Sequence, residues 1–197
     1  MRAVTYGFGM RSPVWRVGAA LAVLVAALAV GGCVEDEPDT TPNPEPTSTP
    51  LFESDEEALA AAEEAYGRYQ AVEDEVFADG GAGSERIEAV AVRDALEAAR
   101  LGFDELVSNG YRGVGRTKFD SLELQQFAPE IETENVVIAY ICLDFSESDV
   151  VDQTNTSIVS PDRLIRQRFE VSFDLAVDEP RLILAMREPW TGAGTCG

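Results

Sequence analysis

The chain has 197 residues, is 45% hydrophobic and carries 36 acidic against 15 basic residues, a formal net charge of −21. A field of that sign repels nucleic-acid phosphates and anionic lipid head groups, which argues against nucleic acid as a partner and against attachment to a membrane through the protein surface. The absence of histidine removes Ser-His and Cys-His nucleophile activation, the usual imidazole metal ligands and the commonest general base near neutral pH.

Arg2, Arg11 and Arg16 precede an uncharged run from Val17 to Gly32, and no acidic residue occurs before Glu35. This is the basic region, apolar core and small-residue exit of a secretory signal; a permanent spanning helix needs about 20 apolar residues, more than the run offers. The run closes on Val30-Gly31-Gly32-Cys33, which resembles a bacterial lipobox. The resemblance implies that residues 1–32 are a lipoprotein signal peptide and that Cys33 is diacylglyceryl-modified and becomes the mature N-terminus. The protein is then held to the extracytoplasmic face of a bacterial cell membrane by its lipid. An ordinary signal with a chance cysteine and a short membrane anchor are the alternatives.

Residues 33–53 form the next segment. Between Val34 and Glu53 lie five prolines, four threonines and few apolar groups, too little to offset the entropy of ordering. The segment reads as a tether, extending up to roughly 60 Å at about 3.1 Å per residue. Residues 54–197 then have the length of a single domain.

That domain begins with helices. Ser54 and Glu57 form a capping box, and Leu59, Ala62, Tyr66, Tyr69, Val72 and Val76 recur at helical spacing until Asp79-Gly80-Gly81-Ala82-Gly83 stops the helix. A second helical region runs from Ser84 to about Ser108, splitting near Val92. Its stripe is Ile87, Val90, Leu96, Ala99, Phe103 and Val107, and Asn109-Gly110 supplies a left-handed cap. Strand patterns follow. Thr117 to Phe127 alternates imperfectly; Val136 to Leu143 is apolar on both faces and reads as a central strand; Asp149 to Val159 turns at Asp152–Thr156; Leu164 to Leu175 alternates; and Arg181 to Trp190 carries Leu182, Leu184, Met186 and Trp190. Helices followed by an antiparallel meander predict an α+β fold, with N-terminal helices packed on one face of a curved antiparallel sheet.

Setting Cys33 aside leaves Cys142 and Cys196, a pair in an oxidising compartment. A bridge between them closes a loop of about 55 residues, worth on the order of 4 kcal/mol in the chain-entropy model. A buried free thiol at Cys142 and a loose tail are the alternatives.

Tyr140-Ile141-Cys142-Leu143-Asp144, Val151-Asp152, Arg166-Gln167-Arg168-Phe169, and a late tryptophan followed by Gly194-Thr195-Cys196 are similar to exported actinobacterial lipoproteins with the cone fold of the nuclear-transport-factor-two and ketosteroid-isomerase-like superfamily. The resemblance spans residues 54–197 and implies a conical sheet with a pocket between sheet and helices. In that family a glycine often closes the turn after the aspartate matching Asp152; here Thr154-Asn155 occupies the place, and asparagine tolerates the same left-handed geometry.

The fold hosts isomerases, dehydratases, cyclases, binding modules and scaffolds, so it names no function. Without histidine, a ketosteroid-isomerase-like site needs a buried Asp and Tyr donors; groups of those types are Tyr66, Tyr69, Asp94, Asp120 and Tyr140. The oxygen-rich Asp144–Asp149 stretch lacks the glycine and the bidentate glutamate of a calcium loop and reads as a solvated loop. Arg166 and Arg168 share one face of a strand, where the chain's own acids are the expected partners. Tyr66, Tyr69, Phe103, Tyr140 and Trp190 are the side chains expected to line a cone pocket or, if they fill it, to close it. The reading favoured by the sequence is a lipid-anchored envelope protein that binds a small apolar ligand or an envelope protein and uses no cofactor or metal. A cofactor-free isomerase or cyclase using Asp and Tyr, and a purely structural lipoprotein, are the alternatives.

Overall fold

Helix α1 (Asp55–Ala78) starts at the predicted cap. The Ser54 hydroxyl accepts the Glu57 N–H at 3.2 Å, while the Glu57 carboxylate accepts the N–H of Glu53 at 2.7 Å, one residue further back than in the usual box. The structure, a computed structural model, describes residues 51–128, 133–194 and 196, all within the unit Pro44–Gly197. The signal, Cys33, the tether as far as residue 50, and Thr195 lie outside the described residues. Phe52, which composition assigns to the tether, is buried and meets Phe127 edge-on.

The face that α1 buries comprises Ala58, Ala62, Ala65, Tyr66, Tyr69, Glu73 and Val76. Leu59 and Val72, expected on this stripe, are only half-buried, because small alanines let the sheet approach along a line one position away. The chain turns at Gly80 and Gly81, both left-handed. A Cβ on Gly81 would lie 2.5 Å from the Phe103 carbonyl, so glycine is what permits the turn to press on the second helix. A short 3-10 turn (Ser84–Ala89) and α2 (Arg93–Asn109) follow, split near Val92 as the pattern predicts, and α2 ends on left-handed Gly110. Ala95, Ala99, Phe103 and Leu106 form the buried face of α2. Val107, expected there, is 61% exposed.

Among the described residues, six strands follow: β1 (Arg112–Gly115), β2 (Lys118–Phe127), β3 (Val137–Asp144), β4 (Ser148–Val151), β5 (Arg166–Leu175) and β6 (Leu182–Pro189). The main sheet is antiparallel in the order β2-β3-β5-β6, and β1 pairs with β4 in a separate two-stranded arm. The fold is therefore α+β. The hairpin predicted around Asp152 is short. Its turn is held by the Asp152 carboxylate, which accepts from Thr154 and Thr156, and Asn155 is left-handed. The returning chain makes one bridge, Val151 to Ser157.

Three register shifts decide which side chains face the helices. Two interrupt β2, between Asp120 and Glu123 and between Leu124 and Gln126, with Ser121 at φ 53°. The third lies between β5 and β6: Ser172 opposes Met186 but Phe173 opposes Leu184, leaving Ala185 extra. A one-residue shift flips every later side chain to the other face. Leu182 and Leu184 therefore face the helices, whereas Met186 and Trp190 turn away and Arg187 turns in.

Central β3 is apolar on both faces for two different reasons. Val137, Ala139, Ile141 and Leu143 lie under the helices. Tyr140 and Cys142 face the other way and are covered by the chain's own C-terminal segment: Trp190 packs on Tyr140 with ring centroids 4.6 Å apart, and the Cys142 and Cys196 sulfurs are at bonding distance, 2.08 Å. Removing that cross-link by Cys196→Ser is expected to lower unfolding free energy by about 2–4 kcal/mol, read by urea denaturation followed by circular dichroism; an unchanged midpoint would show that the bond does not form in solution.

Candidate functional site

The last turns of α1 run over one end of the sheet beside the β1–β4 arm. At Gly113 the arm comes close enough that a Cβ would lie 2.9 Å from that of Phe77. Between them is a cavity of about 250 Å³. Its apolar wall is Phe77, Val114, Leu143, Phe145, Val150 and Phe169, and its polar groups include Glu73, Asp74, Arg116, Asp149, Arg163 and Arg187. Larger recesses beside Arg181 and beneath Ile165, about 420 and 620 Å³, are more open to solvent.

The floor is an ion pair. Arg187 Nη2 donates to Glu73 Oε1 at 2.7 Å and Nη1 to Oε2 at 2.9 Å, a fork that occupies both carboxylate oxygens. The Tyr69 hydroxyl donates to Glu73 Oε1 at 2.7 Å, and Arg187 also reaches the Tyr66 hydroxyl at 3.4 Å. Burial pushes the Tyr66 hydroxyl up to about 12 and that of Tyr69 well above its ordinary value, so both stay protonated. Burial works against the charge of Arg187, yet the Glu73 carboxylate and the two tyrosines hold its pKa well above the ordinary value. Asp74, beside the pair, is raised by burial although the Gln70 amide donates to it at 3.1 Å.

The five aromatics expected to line one pocket are not brought together. Tyr66, Tyr69 and Phe103 are fully buried; none lines the 250 Å³ cavity, and Tyr69 alone of the three borders a neighbouring one of about 130 Å³. Tyr140 and Trp190 lie on the opposite face of the sheet, Trp190 having been turned there by the extra residue in β6. Asp94 is exposed in the first turn of α2. Asp120 faces away from the helices and pairs with Arg166 at 2.5 Å. Arg166 also donates to the Cys196 carbonyl, while Arg168 pairs with Glu123 and stacks over Tyr140, 4.4 Å from its centroid. Both arginines thus take this chain's own acids as partners.

Glu73 and Arg187 were missed because each breaks a simple pattern. Glu73 occupies a stripe position, four residues after Tyr69 and three before Val76, which is a legible signal once charge is allowed inside. Arg187 follows no alternation unless the extra residue at Ala185 is known. Among the described residues, no cluster of acidic or sulfur ligands fit for a metal occurs, and no helix is long and apolar enough to cross a membrane.

No protein-family profile and no curated protein matches the chain. Among solved structures it is similar to the intermembrane space region of the chloroplast protein ARC6, at 11% identity and a TM-score of 0.50, over 68% of this chain and 97% of that one. A de novo designed β-sheet protein aligns at 12% identity with a TM-score of 0.30, over 72% and 94% of the two chains. At such identity the first likeness speaks for the fold alone.

Removing one member of the buried pair strands the other. Arg187→Met or Glu73→Leu should each cost about 3 kcal/mol, near the low end for buried pairs because the Arg187 side chain keeps 25% exposure. The double variant should cost less than the two together; simple additivity in urea denaturation would show that the two groups do not interact.

Acid acts on the other face. The Arg166 hydrogen bond holds the Asp120 carboxyl below its ordinary value, and hydrogen bonds from Ser146 do the same for Asp144. Groups lowered by folding contribute stability that is complete above about pH 4 and is lost as pH falls through their lowered values. The melting temperature should therefore hold down to about pH 4 and drop below it, with Asp120→Asn losing less on acidification than the parent. An identical acid slope in the two proteins would remove Asp120 from this account.

Proposed function

We propose that this is a lipid-anchored protein of a bacterial cell envelope, whose single domain binds a small, largely apolar ligand in the cavity between α1 and the β1–β4 arm without transforming it. The observation that carries the reading is an aromatic-walled cavity whose floor is already neutralised by the Glu73–Arg187 fork. A volume of about 250 Å³ lies just under the usual range for drug-sized ligands, which suits a small molecule better than a protein segment. The envelope location and the anchor at Cys33 rest on Val30-Gly31-Gly32-Cys33 and the tether behind it. The cone fold, and with it kinship to exported actinobacterial lipoproteins of the ketosteroid-isomerase-like superfamily, is supported by helices preceding an antiparallel sheet and by the register shifts, which are the device that curves a sheet.

An isomerase-type reaction has less to recommend it. The buried acid beside a tyrosine hydroxyl is Glu73, and both its oxygens are taken by Arg187, so it is not poised to accept a proton from a substrate.

Native mass spectrometry of the full-length protein purified from its own host tests the proposal. A small molecule should leave with unfolding and be recovered from the denatured extract. A clean protein mass with no small molecule in the extract would sink the binding reading and favour a scaffold.

A further inference from the structure

The basic side chains of this domain are nearly all neutralised by its surplus acid. Of the twelve from Arg68 onward, nine are ion-paired: Lys118 and eight arginines. Among the described residues, Arg112, Arg116 and Arg163 have no carboxylate in ion-pairing distance. Arg112 donates to the Asn155 side chain. The other two both line the cavity.

In a chain with 36 acidic residues to 15 basic, two cations outside any described ion pair at one cavity are not what random placement gives. Arg163 is half-buried and held in position by the carbonyls of Phe145, at 2.9 Å, and Ser148; carbonyl dipoles satisfy its N–H groups without cancelling its charge. Arg116 is exposed, anchored by its backbone N–H on the Glu147 carbonyl at 3.2 Å, so its guanidinium stands at the mouth. Each acid of the lining is held by hydrogen bonds of its own. Glu73 is taken by Arg187; Asp149 accepts from the Val150 N–H and the Ser157 hydroxyl; Asp74 accepts from Gln70 and feels the charge of Arg116 without forming an ion pair with it.

We infer that the ligand of this cavity is a short amphiphile with an anionic carboxylate head, its chain against Phe77, Phe145 and Phe169 and its head between Arg116 and Arg163. The inference rests on the binding reading above and adds the charge of the ligand and the residues that select it. A carboxylate matches the planar fork of a guanidinium, and the volume, about eight waters at roughly 30 Å³ each, limits the chain to a short one.

Isothermal titration calorimetry of octanoate, octanol and octylammonium into the full-length protein separates the two layers of the argument. Octanoate should bind at least about tenfold more tightly than either analogue, as expected of a charge-assisted pair. Arg116→Gln, at an exposed side chain in no described ion pair, should bring octanoate down to the octanol level and leave octanol unchanged; Arg163→Gln should do likewise if its melting temperature is retained. Equal binding of octanoate and octanol would overturn the anion while leaving the cavity reading standing. Preference for octylammonium would overturn it with the sign reversed. Octanoate binding untouched in Arg116→Gln and in Arg163→Gln would place the head elsewhere, and binding of none of the three would remove both the inference and the reading beneath it.

Discussion

A guanidinium set between a helix and a sheet has to be answered by a carboxylate, because an unpaired buried charge costs more than the packing around it returns. Glu73 gives that answer to Arg187, and the consequence is geometric. Once Glu73 points at β6, the rotation of α1 about its axis is fixed, so Tyr66, Tyr69 and Val76 must point into the core and Phe77 toward the β1–β4 arm. Glu73, Phe77 and Arg187 line both the 250 Å³ cavity and the 130 Å³ cavity next to it. The three side chains therefore act as the partition that keeps two small spaces from merging into one large one.

The same arrangement decides what kind of chemistry the interior supports. A base must be free to take a proton, and an acid free to give one, at the moment a substrate arrives. Here the buried carboxylate is held on both oxygens and the two buried hydroxyls stay protonated. Charge that is spent on structure is not available for reaction, which is why the interior fits holding a molecule better than changing it.

The helices were legible in the sequence because their signals are local. Ser54 with Glu57 marks a start, and Asn109-Gly110 marks a stop, through hydrogen bonds and φ angles that a few neighbouring residues determine. The strands were legible as strands, but their facing was not. Alternation reads correctly only until the first extra residue, and Ser121 and Ala185 carry no sequence mark that distinguishes them from ordinary strand residues. That is why Met186 and Trp190 were expected with Leu182 and Leu184, and why Arg187 was not expected inside at all. The aromatic set rests on residue type and predicted element, whereas the cavity is bounded by residues from five strands, one helix and the loops between strands, whose proximity depends on the register. The pairing of Arg166 and Arg168 with neighbouring acids was foreseeable from charge surplus alone, since long-range geometry hardly enters it.

The irregularities that set the facing also bear on how this domain behaves in company. An edge strand with free N–H and C=O groups is a template onto which another chain can hydrogen-bond. On one side of this sheet, β6 is covered by residues 90–92, whose backbone pairs with Leu184. On the other, no described strand lies outside β2, but its two bulges and the left-handed Ser121 break the straight row of donors and acceptors that a visiting strand requires. The lipid anchor proposed above would concentrate the protein on a two-dimensional surface, where it would meet its own copies far more often than in solution. A sheet closed at one edge and kinked at the other is protected against the fibril-like stacking that such crowding would otherwise promote.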